Sequence, residues 1–190
     1  MDRNPKLSNV TQAYLNEFCK ILQTMIRRMT SVPLLCSISN TFIRQMIPHH
    51  LAAIEMSRNI LRYTTNLELQ SIATNIISAQ TNSISNMQAI QCKCRMLTNT
   101  DFERSQYMKR FEKIAQTMFA EMGSAAVTNG VNANFVREMI PHHEGAVRMS
   151  NNVLQFNICP ELKPILYAII TTQCEGIKQL KNLLNQLDHC

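Results

Sequence analysis

Phe42-Ile43-Arg44-Gln45-Met46-Ile47-Pro48-His49-His50-Leu51-Ala52-Ala53-Ile54-Glu55-Met56-Ser57 returns 93 residues later as Phe135-Val136-Arg137-Glu138-Met139-Ile140-Pro141-His142-His143-Glu144-Gly145-Ala146-Val147-Arg148-Met149-Ser150. Extended to Leu61 and Leu154, the two stretches agree at twelve of twenty positions, with Phe, Met, Pro and His held while charge changes freely. The same offset pairs Phe18, Ile21, Met25 and Met29 with Phe111, Ile114, Met118 and Met122 upstream. Downstream it pairs Leu69, Ile72, Ile76, Gln80 and Ile84 with Leu162, Ile165, Ile169, Gln173 and Ile177. The whole chain therefore reads as an internal duplication, one domain over 1–190 whose repeats span about 8–97 and about 101–190.

Each copy carries three helical patterns. Tyr14, Phe18, Ile21, Met25 and Met29 recur every three or four residues and predict a helix from about Ser8 to Thr30. A second runs from Ser39 or Asn40 to Leu61, and after the turn at Arg62-Tyr63-Thr64-Thr65 a third runs from Asn66 to Met96. In the second copy Thr100 and Glu103 form a capping box for a helix over Asp101–Met122 that Gly123 ends. Asn129-Gly130 then leads into a helix over Asn132–Phe156, and Cys159-Pro160-Glu161 opens the last one. Short links within each copy imply antiparallel hairpins, and two of these predict a four-helix core in an all-α bundle with pseudo-twofold symmetry. With only four Gly and no Trp, the composition suits helices.

Pro48 and Pro141 fall inside their helices, where the ring removes a backbone donor and leaves the carbonyls of Arg44 and Arg137 without their usual partners. A kink beside each His pair is expected.

Met46, His49, Ala53 and Met56 follow a three-four-three spacing and share one helix face, with His50 on its flank. Met139, His142, Ala146 and Met149, flanked by His143, repeat the arrangement. Met25 and Met29, and Met118 and Met122, add inward thioethers from the preceding helices. Imidazole binds many transition metals, whereas soft, neutral thioether sulfur narrows the set towards copper, above all Cu(I). These eight methionines and four histidines are the candidate metal ligands, and another transition metal is compatible with the imidazoles. Read structurally, methionine at helical spacing fills gaps in a core and histidine sits there hydrogen-bonded.

Other chemistries lack their apparatus. A di-iron carboxylate bundle needs Glu-x-x-His words, and there are none; Glu138 precedes His142 by four residues and is matched by Gln45. No zinc-protease word, phosphate loop or nucleophile with a base is visible, so a non-enzymatic protein is expected. The formal charge of +6 is scattered in pairs such as Arg27-Arg28, without the clustering that nucleic-acid binding needs. No apolar run reaches membrane-spanning or signal-peptide length. The seven cysteines include no pair that recurs at the offset, which suits reduced thiols and a cytoplasmic setting, with export if a leader was trimmed. Cys92-Lys93-Cys94 holds two thiols that a regular helix would point apart, and His189-Cys190 reads as a loose end. The expected partner is a metal ion, with no nucleic acid and no membrane, and homo-oligomers stay open.

The word Phe-x-x-x-Met-Ile-Pro-His-His-x-x-Ala-(Ile/Val)-x-Met, carried twice, resembles the signature of the domain of unknown function 305 family. That resemblance implies a ferritin-like helical bundle in copper-binding, copper-tolerance proteins, commonly periplasmic, with Met pairs such as Met25/Met29 and Met118/Met122 ahead of the His word. The family's following helix usually reads Ala-Gln-x-x-Glu-Ile-x-x-Met. Here Ala79, Gln80, Ile84 and Met87 fit, but Ser83 and Gly176 stand at the two Glu positions. Loss of a carboxylate that orients an imidazole weakens metal affinity, and Gln80 and Gln173 are candidate acceptors in its place. Two functions follow: sequestration or handling of Cu(I) by His and Met side chains, or a structural or protein-interaction bundle whose metal site has decayed.

Overall fold

The computed structural model describes residues 6–188, so His189 and Cys190 lie outside the described residues. Six helices follow in order: α1 (Asn9–Thr30), α2 (Ile38–Ile60), α3 (Leu67–Cys94), α4 (Asp101–Gly123), α5 (Val131–Val153) and α6 (Leu162–Asp188). Shifting α2 by 93 residues reproduces the limits of α5.

Local chemistry sets the helix starts. Ser8, Ser37 and Asn66 accept the backbone N–H three residues on, and Thr100 and Glu103 form the reciprocal capping box expected from the sequence. α2 starts ahead of the Ser39 or Asn40 expected because Ser37 is the cap. α5 stops at Val153, short of Phe156, and Leu154 and Phe156 pack onto the core from the following turn. Cys159-Pro160-Glu161 precedes α6 instead of starting it, and the Cys159 N–H donates to Ser39 Oγ at 2.9 Å. α2 and α5 run unbroken through Pro48 and Pro141.

α2 pairs with α3, and α5 with α6, as hairpins; α1 lies on α2 and α4 on α5. Contacts of α2 with α5 and of α3 with α6 join the copies. Buried residues from all six helices form one apolar cluster. Among the described residues no helix is long and apolar enough to cross a membrane.

The cysteines depart from the reduced state expected. Cys94, at the end of α3, and Cys159, just before α6, form a disulfide with Cα atoms 5.1 Å apart. Both are buried, whereas Cys19, Cys36, Cys92 and Cys174 are exposed free thiols. The Cys92/Cys94 pair is thus split as helix geometry requires, one thiol outside and one bridged. Neither bridged position has a cysteine counterpart in the other copy, and only the antiparallel packing of α3 on α6 brings them together.

Candidate metal centre

Where α2 meets α5, the rings of His49 and His142 stack with centroids 3.7 Å apart and planes inclined by 27°. Each Nε2 lies 3.2 Å from the backbone carbonyl oxygen of the other histidine. A carbonyl oxygen only accepts, so both Nε2 atoms carry the proton and both Nδ1 atoms carry a bare lone pair. Neither Nδ1 has a partner, although both are sealed from solvent. An N–H···O=C bond of this kind fixes ring orientation and tautomer, the role that such bonds play behind metal-ligating histidines.

His50 and His143 flank the stack, each 5.9 Å by ring centroid from the neighbouring histidine at an interplanar angle of 57°. His50 Nε2 lies 3.0 Å from Ser83 Oγ on α3, the position where the family's Glu is missing. In the second copy that position is Gly176, where a Cβ would come within 2.8 Å of His143 Cδ2 and 3.1 Å of its Nε2. The Nδ1 atoms of His50 and His143 are also buried without partners. Gln80 and Gln173 do not reach the histidines as acceptors, and each keeps a buried Oε1 with no partner.

The eight candidate methionines, Met25, Met29, Met46 and Met56 with Met118, Met122, Met139 and Met149, are all fully buried in the common core. Met118 Sδ lies directly on Gly145, one turn beyond His142, where any Cβ would collide with it. Among the described residues no three His, Cys, Asp or Glu side chains converge as a metal-binding group. A centre at the stack would have to complete its donor set with thioether sulfur.

Burial holds all four imidazoles neutral. Desolvation pushes His50 down to about 3 and His142 to about 4, and drives His49 and His143 well below the ordinary histidine range, with repulsion among the rings adding to it. A neutral imidazole is the form that ligates a metal.

A second polar cluster was hidden in the sequence. Tyr14 on α1 donates to Glu138 Oε2 on α5 at 2.5 Å, and Tyr107 on α4 donates to Gln45 Oε1 on α2 at 2.6 Å. The four residues pair at the 93-residue offset, and Asn59 and Asn152 donate to the carbonyls of Tyr14 and Tyr107. Conservation of both tyrosines across the duplication was the available signal, masked because Tyr14 also fits the apolar stripe of α1. Desolvation raises Glu138 to about 8 despite the Tyr14 hydrogen bond that opposes it. Tyr14→Phe strips a buried acid of its donor, so a loss of about 1–3 kcal/mol in chemical denaturation is expected. An unchanged midpoint would remove the bond from the list of stabilising contacts.

Comparison with known proteins places these features in context. The model of the Domain of unknown function (DUF305) family matches residues 39–186. A search of curated protein sequences gives no match. Among solved structures, CopM in a silver-bound form obtained by soaking superposes with a TM-score of 0.59 at 27% identity, covering 80% of this chain and 98% of that one. Its Cu(II)-bound form gives 0.58 at 26% identity over 78% and 97% of the two chains, and its Cu(I)-bound form 0.58 at 26% over 78% and 96%. A DUF305 fragment from Deinococcus radiodurans gives 0.58 over 80% and 99%, and at 21% identity it supports the fold alone.

Proposed function

The chain belongs to the Domain of unknown function (DUF305) family, and on that premise we propose that it is a non-enzymatic copper-binding protein that holds Cu(I) on histidine and methionine side chains for sequestration or handling. One observation carries the reading: four imidazoles lie buried in a methionine-filled core, with four Nδ1 atoms that no protein group satisfies. Leaving a buried polar atom unpaired costs about 1–3 kcal/mol. His49 and His142 present Nδ1 lone pairs with their rings already oriented, so a soft cation held there would offset that cost.

The donor set fits the metal. Imidazole with thioether favours Cu(I) over harder cations, and Met46, Met56, Met139 and Met149 on the histidine helices are the first candidate sulfurs, with Met25, Met29, Met118 and Met122 behind them. The solved CopM relatives carry Cu(I), Cu(II) or silver, the last a soft stand-in for Cu(I). A ferritin-like arrangement of two repeats in one domain belongs to the same proposal.

Location belongs to it as well. The cytosolic reading rests on cysteines without partners, and the buried Cys94–Cys159 bridge weighs towards an oxidising compartment.

The test is competition against a Cu(I) chelator under reducing, anaerobic conditions. The His49→Ala and His142→Ala double variant is expected to lose at least a hundredfold in Cu(I) affinity while its helix content is retained. Parent-like affinity in the folded variant defeats the assignment. The second reading, a structural or interaction bundle with a decayed site, draws on Ser83 and Gly176 at the family's Glu positions. Folded protein that ignores added Cu(I) would select it.

A further inference from the structure

The net charge of +6 is unevenly divided between the two copies. The repeat over 8–97 carries eight Lys and Arg against three Asp and Glu, whereas the repeat over 101–190 carries nine of each. Part of the excess lines one groove of about 320 Å³ between the last turn of α1 and the middle of α2, where Arg28 and Arg44 stand with Val32, Ile47, Pro48 and Leu51. Both arginines are exposed and the four apolar residues are half-buried. Among the described residues neither arginine forms an ion pair. Glu55 on α2 lines a separate groove with Arg58 and Arg62. The second copy supplies the contrast. Its equivalents of Arg28 and Leu51 are Glu121 and Glu144, which pair with Arg148 at 2.8 Å and with Lys181 at 3.1 Å. Arg137, the equivalent of Arg44, pairs with Asp188 at 2.5 Å, and the residue equivalent to Asp188 is Arg95, a further cation in place of the acid.

Two unpaired guanidiniums beside an apolar wall call for a ligand that is anionic and apolar at once. The planar guanidinium fork matches a carboxylate through two charge-assisted hydrogen bonds, and Val32, Ile47 and Leu51 offer cover to an aliphatic side chain next to it. A lipid bilayer presents a flat surface to what is here a concavity. A nucleic acid needs stacking aromatics and a longer run of cations, and the groove holds no aromatic and two arginines. We propose that the α1–α2 groove at Arg28 and Arg44 is a docking surface for an acidic, amphipathic segment of a partner protein, one that interleaves carboxylates with aliphatic side chains. In the second copy the chain's own Glu121, Glu144 and Asp188 supply the carboxylates that the first copy lacks. Copper plays no part in this contact: the groove lies on the outer side of α2, and His49 and His50 are buried on the inner side.

The probe is a fluorescein-labelled synthetic peptide of Glu, Leu and Ser, titrated with full-length protein and read by fluorescence anisotropy. The same peptide with Gln for Glu, phosphatidylglycerol vesicles and a DNA duplex are run beside it. The acidic peptide is expected to bind, more weakly as salt rises because exposed charges are screened, and the Gln peptide to bind about tenfold more weakly. Arg28→Glu with Leu51→Glu installs the second copy's residues in the groove and is expected to weaken binding about tenfold. Arg110→Glu with Asn151→Glu makes the same charge change on the α4–α5 surface and should leave binding unchanged. If the first pair of substitutions does not fold, Arg44→Gln at its exposed position is expected to weaken binding about threefold. A parent that does not bind the acidic peptide overturns the proposal, as does equal binding of the Gln peptide. Parent-like binding in a folded groove variant, or an equal loss in the charge-matched control, overturns it as well. Vesicles or duplex that bind through Arg28 and Arg44 while the acidic peptide does not would overturn it and reassign the groove to a phosphate ligand.

Discussion

Stability of the metal-free protein is expected to peak near pH 6–7 and to fall steeply on the acid side. The four core histidines have folded-state pKa values below the unfolded value of 6.5. Below 6.5 the unfolded chain therefore binds protons that the native state refuses, and stability is lost as pH falls. With His50 at about 3 and His142 at about 4, each costs about 3 kcal/mol at pH 4 by the conversion of about 1.4 kcal/mol per unit. His49 and His143 act in the same direction. Glu138 works the opposite way: its folded value of about 8 lies above the unfolded 4.5, so its contribution is complete below 4.5 and is lost as pH rises to about 8. One carboxyl opposes four imidazoles between 4.5 and 6.5 and acts alone above that range, which places the maximum between the limbs. Urea denaturation at a series of pH values reads this directly, and Glu138→Gln is expected to flatten the alkaline limb and to steepen the acid limb between 4.5 and 6.5. A flat profile from pH 4 to 7 would mean that the imidazoles are not held neutral by burial, and the argument for unsatisfied donors would go with it.

Those histidines also mark how far the sequence could be read. That Met46, His49, Ala53 and Met56 share a buried face follows from helical spacing, and all four are buried in the structure. The caps at Ser8 and Thr100 follow from side chains that compete for backbone N–H groups within three residues, a local interaction. What faces that buried side depends on how helices cross. The reciprocal bonds between His49 and His142 join residues 93 apart, and neither helix alone specifies them. The tyrosine pairs are similar: Gln45 against Glu138 entered the sequence reading only as a mismatch to a di-iron carboxylate pattern, yet each accepts from a tyrosine of the other copy. Gln45/Glu138 and Ser83/Gly176 were both visible as mismatches in the duplication. The meaning of the second required knowing that position 83 or 176 lies against the second histidine of each pair.

Removing the Cys94–Cys159 bridge is expected to lower the melting temperature by about 10 °C, the largest effect of any change away from the histidines. The cysteines are 65 residues apart. Releasing a loop of that length restores chain entropy to the unfolded state worth about 4 kcal/mol, and about 2–4 °C accompanies each kcal/mol in a chain of this size. The native junction does not depend on the bridge alone. Ser37 Oγ donates to the Cys94 carbonyl at 2.6 Å, the Cys159 N–H donates to Ser39 Oγ at 2.9 Å, and the Ile38 N–H donates to Asn99 Oδ1 at 3.0 Å. Those bonds use the backbone or neighbouring side chains, so they survive in a Cys94→Ala and Cys159→Ala double variant, which should fold and still melt early. Reductant should shift the parent's melting curve towards that of the variant and leave the variant where it is. A variant melting within about 2 °C of the oxidised parent would show that the hydrogen-bonded junction and the α3–α6 packing hold this end of the molecule without the crosslink. Because the bridge has no counterpart in the other copy, it ties the end of α3 to the start of α6 on the His50 side of the α3–α6 seam and leaves the His143 side untied. Hydrogen exchange in the reduced protein should therefore quicken first towards the C-terminal end of α3, while the segment around Gly176 keeps its protection.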